Sequence, residues 1–266
     1  MTTLTLRAAP NGRVDMTGVL PDTLAGRTAD DIAKQILRVD GSPVSLGDLF
    51  KVGVDKTDVL TLRTDSDRLD CLGKGMTAGT LRIDGPAGHY AAQAMRGGVL
   101  DISGHAGDSA ANGMKGGLLH IRGNAGDWLG AALTGDRAGM AGGVVVVESD
   151  VGDRLGDRMR RGLILVRGKA GDGCGARLLA GTLVVMGGCG SQPGSGLRRG
   201  SLILGRRPES IPSSFGDSGR VDLSYLGLLH RHAESVLPGL LPATTHAYRY
   251  MGDLAFGGKG EILVLA

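Results

Sequence analysis

Gly162 to Ala180 reads GLILVRGKAGDGCGARLLA, and Gly181 to Arg199 follows directly as GTLVVMGGCGSQPGSGLRR. Numbered from their first glycines, both segments carry aliphatic side chains at positions 3 and 5, glycine at 7, 10 and 14, and leucine at 17. The same frame extends outward in both directions. Its first positions are Gly79, Gly98, Gly117, Gly143, Gly162, Gly181 and Gly200, at intervals of 19, 19, 26, 19, 19 and 19. Position 3 reads Leu81, Leu100, Leu119, Val145, Ile164, Leu183 and Leu202; position 5 reads Ile83, Ile102, Ile121, Val147, Val166, Val185 and Leu204. Position 17 reads Met95, Met114, Met159, Leu178 and Leu197, joined by Met140 when the third unit is counted back from Gly143. A fixed period of about 20 residues is the mark of a solenoid.

Aliphatic residues two apart put one face of a short strand inward. The G-x-x-G that follows suits corners where the backbone needs dihedrals that only glycine adopts freely. No unit holds an amphipathic run long enough for a helix, and no six-residue sub-period is present. The expected fold class is therefore all-β: a right-handed parallel β-helix with one coil per 19 residues. At a strand spacing of about 4.8 Å, seven or eight coils form a rod roughly 35 Å long. A single coil cannot bury its own inward face, so the coils must stack and the end coils must be capped.

Composition agrees. The 48 glycines are periodic, which separates them from a disordered tract, and 3% aromatic residues suit a thin interior. A net charge of +3 from scattered basic residues argues against a nucleic-acid partner. Met1 to Pro10 lacks a basic flank followed by an apolar run, and no apolar segment is long enough to span a bilayer. A soluble cytoplasmic protein without a membrane partner is expected. Cys71, Cys174 and Cys189 lack metal-type spacing.

The flanks divide the chain into a cap segment (1–58), a β-helix of about eight coils (59–205) and a C-terminal cap or cover (206–266). In the first, Thr2 to Leu6 alternates as a strand, Ala29 to Leu37 reads as a helix capped by Thr28, and Val44 to Phe50 as a turn on the first coil. Counting back 19 from Gly79 places Leu62 at position 3 and Met76 at position 17 of a degenerate coil. Leu223 to Val236 reads as a helix ended by Pro238, and Glu261 to Leu265 as a strand. Position 4, which faces outward, is polar in the early coils (Arg82, Asp101, His120) and aliphatic in the later ones (Val146, Leu165, Val184, Ile203). Such a strip needs a cover. Either the C-terminal helix or a second protein in an assembly can supply it, so these four residues, with Leu133 and Arg137 in the inserted loop of the third unit, are the candidate partner contacts.

Two columns carry charge. Position 11 holds Asp108, Asp127, Asp153 and Asp172, flanked by His89 and Ser191. Aspartate after glycine bonds nearby backbone amides in turns; the sharper alternative is a divalent cation. Position 18 holds Arg96, Lys115, Arg160 and Arg198, either a solvated edge or a rail for an acidic partner surface or a polyanionic ligand tail. Cys189 falls in a column of small residues (Ala87, Ala106, Ala125, Val151, Ala170) and reads as buried. No nucleophile, base and orienting group cluster, and the histidines share no ligand set, so no catalytic or metal residue is assigned.

The repeated G-x-x-G-x-x-x-G resembles the β-helical domain at the C-terminus of the glutamate synthase large subunit. It resembles more closely a free-standing relative, the C subunit of formylmethanofuran dehydrogenase. S-L-G-D-L-F at Ser45 to Phe50 and Y-M-G-D-L-A-F-G-G-K-G at Tyr250 to Gly260 resemble the opening and closing segments of that protein. The resemblance implies a non-catalytic structural subunit that binds no cofactor itself. Chemistry would belong to partners: an amidohydrolase-like A subunit with zinc, a pterin-enzyme-like B subunit and, in methylotrophic bacteria, a formyltransferase as the D subunit. That bacterial version, the formyltransferase/hydrolase complex, moves the formyl group between tetrahydromethanopterin and methanofuran and releases it as formate. Arg- and Ala-rich usage favours it over the tungsten or molybdenum dehydrogenase. The departures from the pattern are the 26-residue third unit and Ala92, Ala111 and Ser149 at corner-glycine positions. From other classes, a glutamate synthase-type spacer domain and a stand-alone β-helix enzyme acting on carbohydrate remain; the latter wants clustered carboxylates and aromatic platforms, and Trp128 with four tyrosines supplies little.

Overall fold

A computed structural model describes residues 2–54 and 59–266, so the expected boundary after residue 58 lies outside the described residues. The chain opens with β1 (Thr2–Leu6), β2 (Val14–Asp15), α1 (Pro21–Leu24), α2 (Ala29–Ala33), β3 (Ile36–Val39), β4 (Ser42–Ser45), α3 (Leu46–Leu49) and β5 (Phe50–Gly53). The repeat supplies β6 (Val59–Arg63), β7 (Leu69–Asp70), β8 (Thr80–Asp84), β9 (Val99–Ile102), β10 (Lys115–Ile121), β11 (Ala141–Val147), β12 (Arg161–Val166), β13 (Thr182–Val185) and β14 (Ser201–Leu204). After it come β15 (Gly216–Asp222), α4 (Tyr225–Val236), β16 (His246–Gly252), a 3-10 turn at Leu254–Phe256, and β17 (Gly260–Leu265).

The period becomes strand stacking. A 13-stranded sheet runs β15-β16-β17-β14-β13-β12-β11-β10-β9-β8-β6-β1-β5. From β1 to β17 the pairing is parallel and position 3 meets position 3: Leu81 opposes Leu100, Leu100 opposes Leu119, Val145 opposes Ile164, and Ile164 opposes Leu183. The 26-residue unit rejoins in register, with Leu119 opposite Val145. A second column of parallel bridges links Ala87, Ala106, Ala125, Val151, Ala170 and Cys189, which is position 9. Small residues suit it because backbones meet there one residue at a time.

The core lies on the inward columns. Positions 3, 5 and 17 are fully buried, including all the methionines of position 17. Position 13 is a fourth inward column (Ala91, Ala110, Leu129, Leu155, Cys174), and its small-to-large variation conceals it in the sequence. Gly143 shows why a glycine opens each unit: at φ +89 a Cβ there would lie 2.8 Å from Met114 Cε and 2.9 Å from the Gly117 carbonyl oxygen. The left-handed corner survives without glycine, since Ala92 and Ala111 keep φ 56 and 57 beside Gly130 at 68.

Both flanks enter the same sheet. β1 pairs parallel with β6, and β17 pairs parallel with β14, placing Ile262 and Val264 beside Leu202 and Leu204. β5 and β16 then turn antiparallel and end the parallel run on each side. Three expectations change. The unit before Gly79 is regular in its apolar anchors, because Leu60 rather than Leu62 opposes Leu81 and Leu62 opposes Ile83; the unit is two residues longer than the period. The helix at Ala29 stops at Ala33, and Ile36 to Val39 forms a hairpin with β4 around Asp40-Gly41, both at positive φ. Asp-Gly is the strongest short hairpin signal and outweighs the helical pattern.

The third correction concerns the aliphatic strip. Val146, Leu165, Val184 and Ile203 are fully buried, and with Leu263 they form a second core under Leu226 and Ala233 of α4 and under Leu237, Leu240 and Leu241. They are not a surface for a partner. The helix carries its apolar residues three and four apart and lays that stripe on the sheet. Its first turn is anchored where Tyr225 Oη donates to Glu261 Oε1 at 3.1 Å, the same oxygen that accepts from Ser201 Oγ at 2.7 Å.

Candidate functional site

The corner between position 10 and the next strand alternates in backbone hand. Positions 12, 14 and 16 are left-handed in successive units, as at Arg154 (φ 61), Gly156 (67) and Arg158 (57). Positions 13 and 17 thereby point into the core, while 12 and 16 point out on the same side as 18. Three outward columns share one edge of the stack, and the charged residues in them are all basic.

A groove of about 690 Å³ runs along this edge, lined by Arg137, Arg154, Arg158, Arg177 and Arg198, with Asp172 the one carboxylate in its wall among the described residues. Behind it Asp157 is 1% exposed. It accepts two hydrogen bonds from Arg177, through Nε at 2.8 Å and through Nη2, and lies 3.8 Å from Arg154 Nη1. The bond to Asp157 raises the Arg177 pKa, so that guanidinium is held both charged and aimed. Arg154 also stacks over the Trp128 ring at 5.6 Å from its centroid. Among the described residues Arg137, Arg158, Arg160 and Arg198 have no ion-pair partner. Unpaired guanidiniums converging on a concave surface suit carboxylate or phosphate groups, which they bind bidentately.

The predicted basic column is divided by the inserted loop. Lys115 and Arg160 line a second hollow of about 530 Å³ with Lys74, Leu133 and Arg137, while Arg198 lines the main groove. Arg137 belongs to both, so the loop forms a shared wall, and it is tied down by Gly139 N donating to Arg158 O at 3.0 Å. Arg96 lines neither. Arg154, Arg158 and Arg177 were missed because their columns show no consistent chemistry: position 12 also holds Tyr90, Ser109, Trp128, Gly173 and Gln192, and position 16 holds Ala94, Gly113 and Gly196. The available signal was their side of the corner, which requires knowing that 12 and 16 face outward.

The acidic column does different work. Asp108 Oδ1 accepts from Asp127 N at 3.0 Å, Asp127 Oδ1 from Asp153 N at 2.7 Å, Asp153 Oδ1 from Asp172 N at 2.8 Å and Asp172 Oδ1 from Ser191 N at 2.7 Å. Each carboxylate bonds the next unit's backbone rather than its own turn. The ladder begins at Asp70, which accepts from His89 N at 2.7 Å and pairs with Arg13 of the opening segment. His105, Asn124 and Asp150 at position 8 do the same for Asn124, Asp150 and Lys169. His120 is taken up in an ion network, with Nε2 2.7 Å from Glu148 and Arg122 bridging Glu148 to Asp101. Burial pushes the Cys189 thiol up to about 11 and the Cys174 thiol well above its ordinary value, so neither is a thiolate nucleophile at neutral pH.

No model of a known protein family matches the sequence. The C subunit of the formyltransferase/hydrolase complex Fhc from Methylorubrum extorquens is 39% identical over 88 residues, an alignment spanning 33% of this chain and about a third (33%) of that relative's length. A chain in the crystal structure of the formyltransferase/hydrolase complex (FhcABCD) from the same organism, solved with methylofuran, superposes with a TM-score of 0.94 at 37% identity, covering 99% of both chains. The chain belongs to the family of C subunits of the formyltransferase/hydrolase complex. Among the described residues the chain offers a stacked frame and a basic edge.

Proposed function

We propose that the chain is a non-catalytic structural subunit of a formyltransferase/hydrolase complex, and that its arginine groove holds the carboxylates of an extended anionic ligand or partner segment. In this reading each unit is a coil of a right-handed parallel β-helix over residues 59–205, capped by 1–58 and 206–266. The in-register parallel ladder supports it, since parallel strands joined by crossovers are right-handed almost without exception. The chemistry belongs to the amidohydrolase-like, pterin-enzyme-like and formyltransferase partners, with zinc in a partner, acting on the formyl group carried between tetrahydromethanopterin and methanofuran.

One observation carries the groove. Buried Asp157 aims Arg177, accepting from its Nε at 2.8 Å and from its Nη2, into a hollow that Arg137, Arg154, Arg158 and Arg198 also line. Among the described residues Arg137, Arg158 and Arg198 have no ion-pair partner of their own. A buried carboxylate that orients one guanidinium beside unpaired others points to function in the side chains. A carbohydrate-cleaving site is a poor match, because glycoside hydrolysis uses two facing carboxyl groups and among the described residues the groove wall offers Asp172 alone.

Two measurements test this. A tagged pull-down from the native host should bring down partner subunits with zinc and without tungsten or molybdenum; a lone monomer overturns the complex, and tungsten or molybdenum moves it to the dehydrogenase. For the groove, Arg154→Gly with Arg158→Gly should leave the melting temperature unchanged or higher and abolish salt-sensitive binding of a fluorescent oligo-aspartate peptide. Unchanged peptide binding removes the groove from the proposal.

A further inference from the structure

The turn before β17 holds two large apolar side chains in water, Leu254 at 61% and Phe256 at 64% exposure. Single exposed apolar residues are ordinary on a protein surface. This pair is different because the turn beneath it is rigid. Asp253, 3% exposed, accepts from Gly196 N at 3.0 Å and Ala255 N at 3.1 Å, and its own N–H donates to Leu197 O at 3.0 Å. Leu254 N donates to Ser214 O, Gly258 N to Asp253 O and Lys259 N to Arg198 O, at 2.9, 2.7 and 2.7 Å. The flanking glycines are required by this seat: a Cβ on Gly258 would lie 2.2 Å from Leu197 O and one on Gly260 1.8 Å from Leu197 Cδ2. A buried carboxylate, a set of backbone hydrogen bonds and two close-contact glycines therefore hold Leu254 and Phe256 outward. The same chain buries its aliphatic strip completely under α4.

We propose that Leu254 and Phe256 form the apolar anchor by which this chain docks on a different protein chain, into an apolar pocket ringed by Asp and Glu. Charge decides the occupant. Phe256 borders a hollow of about 320 Å³ with Arg198, Arg199 and Lys259, and stands at the mouth of the arginine groove. Cations around a preorganised apolar anchor select an acidic rim and disfavour a second copy of this chain, which would bring the same cations against themselves. A rigid anchor loses little conformational freedom on binding, the property that makes aromatic and aliphatic side chains dominate interfaces.

The inference rests on membership of a complex, and the test separates the two. The wild type, Leu254→Ser/Phe256→Ser and Arg198→Glu/Arg199→Glu are each co-expressed with the other proteins of the complex, and assembly is measured by size exclusion and by affinity of the purified chain. The serine pair should weaken association about thirtyfold or more with an unchanged melting temperature, since both side chains are exposed. The charge reversal should slow association and remove most of its salt dependence. A wild type that does not assemble overturns the complex and not the anchor's geometry. A wild type that assembles while the serine pair binds equally well overturns the anchor. Assembly indifferent to charge reversal overturns the acidic rim, and a wild-type homodimer broken by the serine pair makes a second copy the occupant instead.

Discussion

Asp127 offers the sharpest test of what holds one unit to the next. Its Oδ1 accepts the Asp153 amide at 2.7 Å, across a 26-residue gap in sequence, and its own amide donates to Asp108 at 3.0 Å. Asp127→Ala removes a charge-assisted acceptor from an exposed amide, a loss of about 1.5–2 kcal/mol because charged acceptors are roughly twice as strong as neutral ones. It also relieves repulsion from Asp108 and Asp153. Carboxylates stacked about 5 Å apart repel by about 0.8 kcal/mol each in water, and physiological salt roughly halves that. The expected net cost of alanine is about 1 kcal/mol. Asparagine gives the same electrostatic relief but keeps Oδ1, as Asn124 already does for Asp150 at 3.2 Å. Asp127→Asn should therefore be close to neutral, and the asparagine–alanine difference of about 1 kcal/mol isolates the hydrogen bond. Urea unfolding of the three proteins at equal ionic strength measures it. Equal midpoints for asparagine and alanine would refute the ladder. A calcium-dependent rise in the wild-type midpoint, lost in asparagine, would return the column to cation binding.

Further outcomes concern the cover. Leu165 is fully buried between the sheet and the C-terminal segment, so Leu165→Ala should cost the isolated chain about 2–5 kcal/mol; an unchanged urea midpoint would mean that the helix does not cover the strip. Burial pushes the Tyr225 phenol up to about 12. An unfolded tyrosine ionises near pH 10, so folding holds a proton that the unfolded chain releases, and stability should fall as pH rises from about 10 towards 12. Tyr225→Phe should abolish that part of the decline, and in absorbance titration of the folded protein the ionisation lost with Tyr225→Phe should lie near pH 12.

Much of this protein is determined by local periodicity. Aliphatic residues two apart, repeated every 19 residues, leave one inward strand face per unit, and every one of those columns is buried in the structure. The strands at Thr2–Leu6 and near Glu261–Leu265, and the helix ending at Val236, were legible for the same reason: their patterns are short-range. What lay beyond the sequence depends on which residues meet across units. The parallel seating of β17 on β14 and of β1 on β6, and the covering of Val146, Leu165, Val184 and Ile203 by the chain's own helix, are long-range choices among several surfaces that could bury the same side chains. The aspartate column carried its chemistry in plain view, but its partner amides lie one unit away. The groove was visible as a single basic column and emerged whole only in three dimensions. Arg154, Arg158 and Arg177 reach one edge because alternating left-handed residues turn positions 12 and 16 outward beside position 18, and backbone hand at a non-glycine residue is decided by the stack that encloses it.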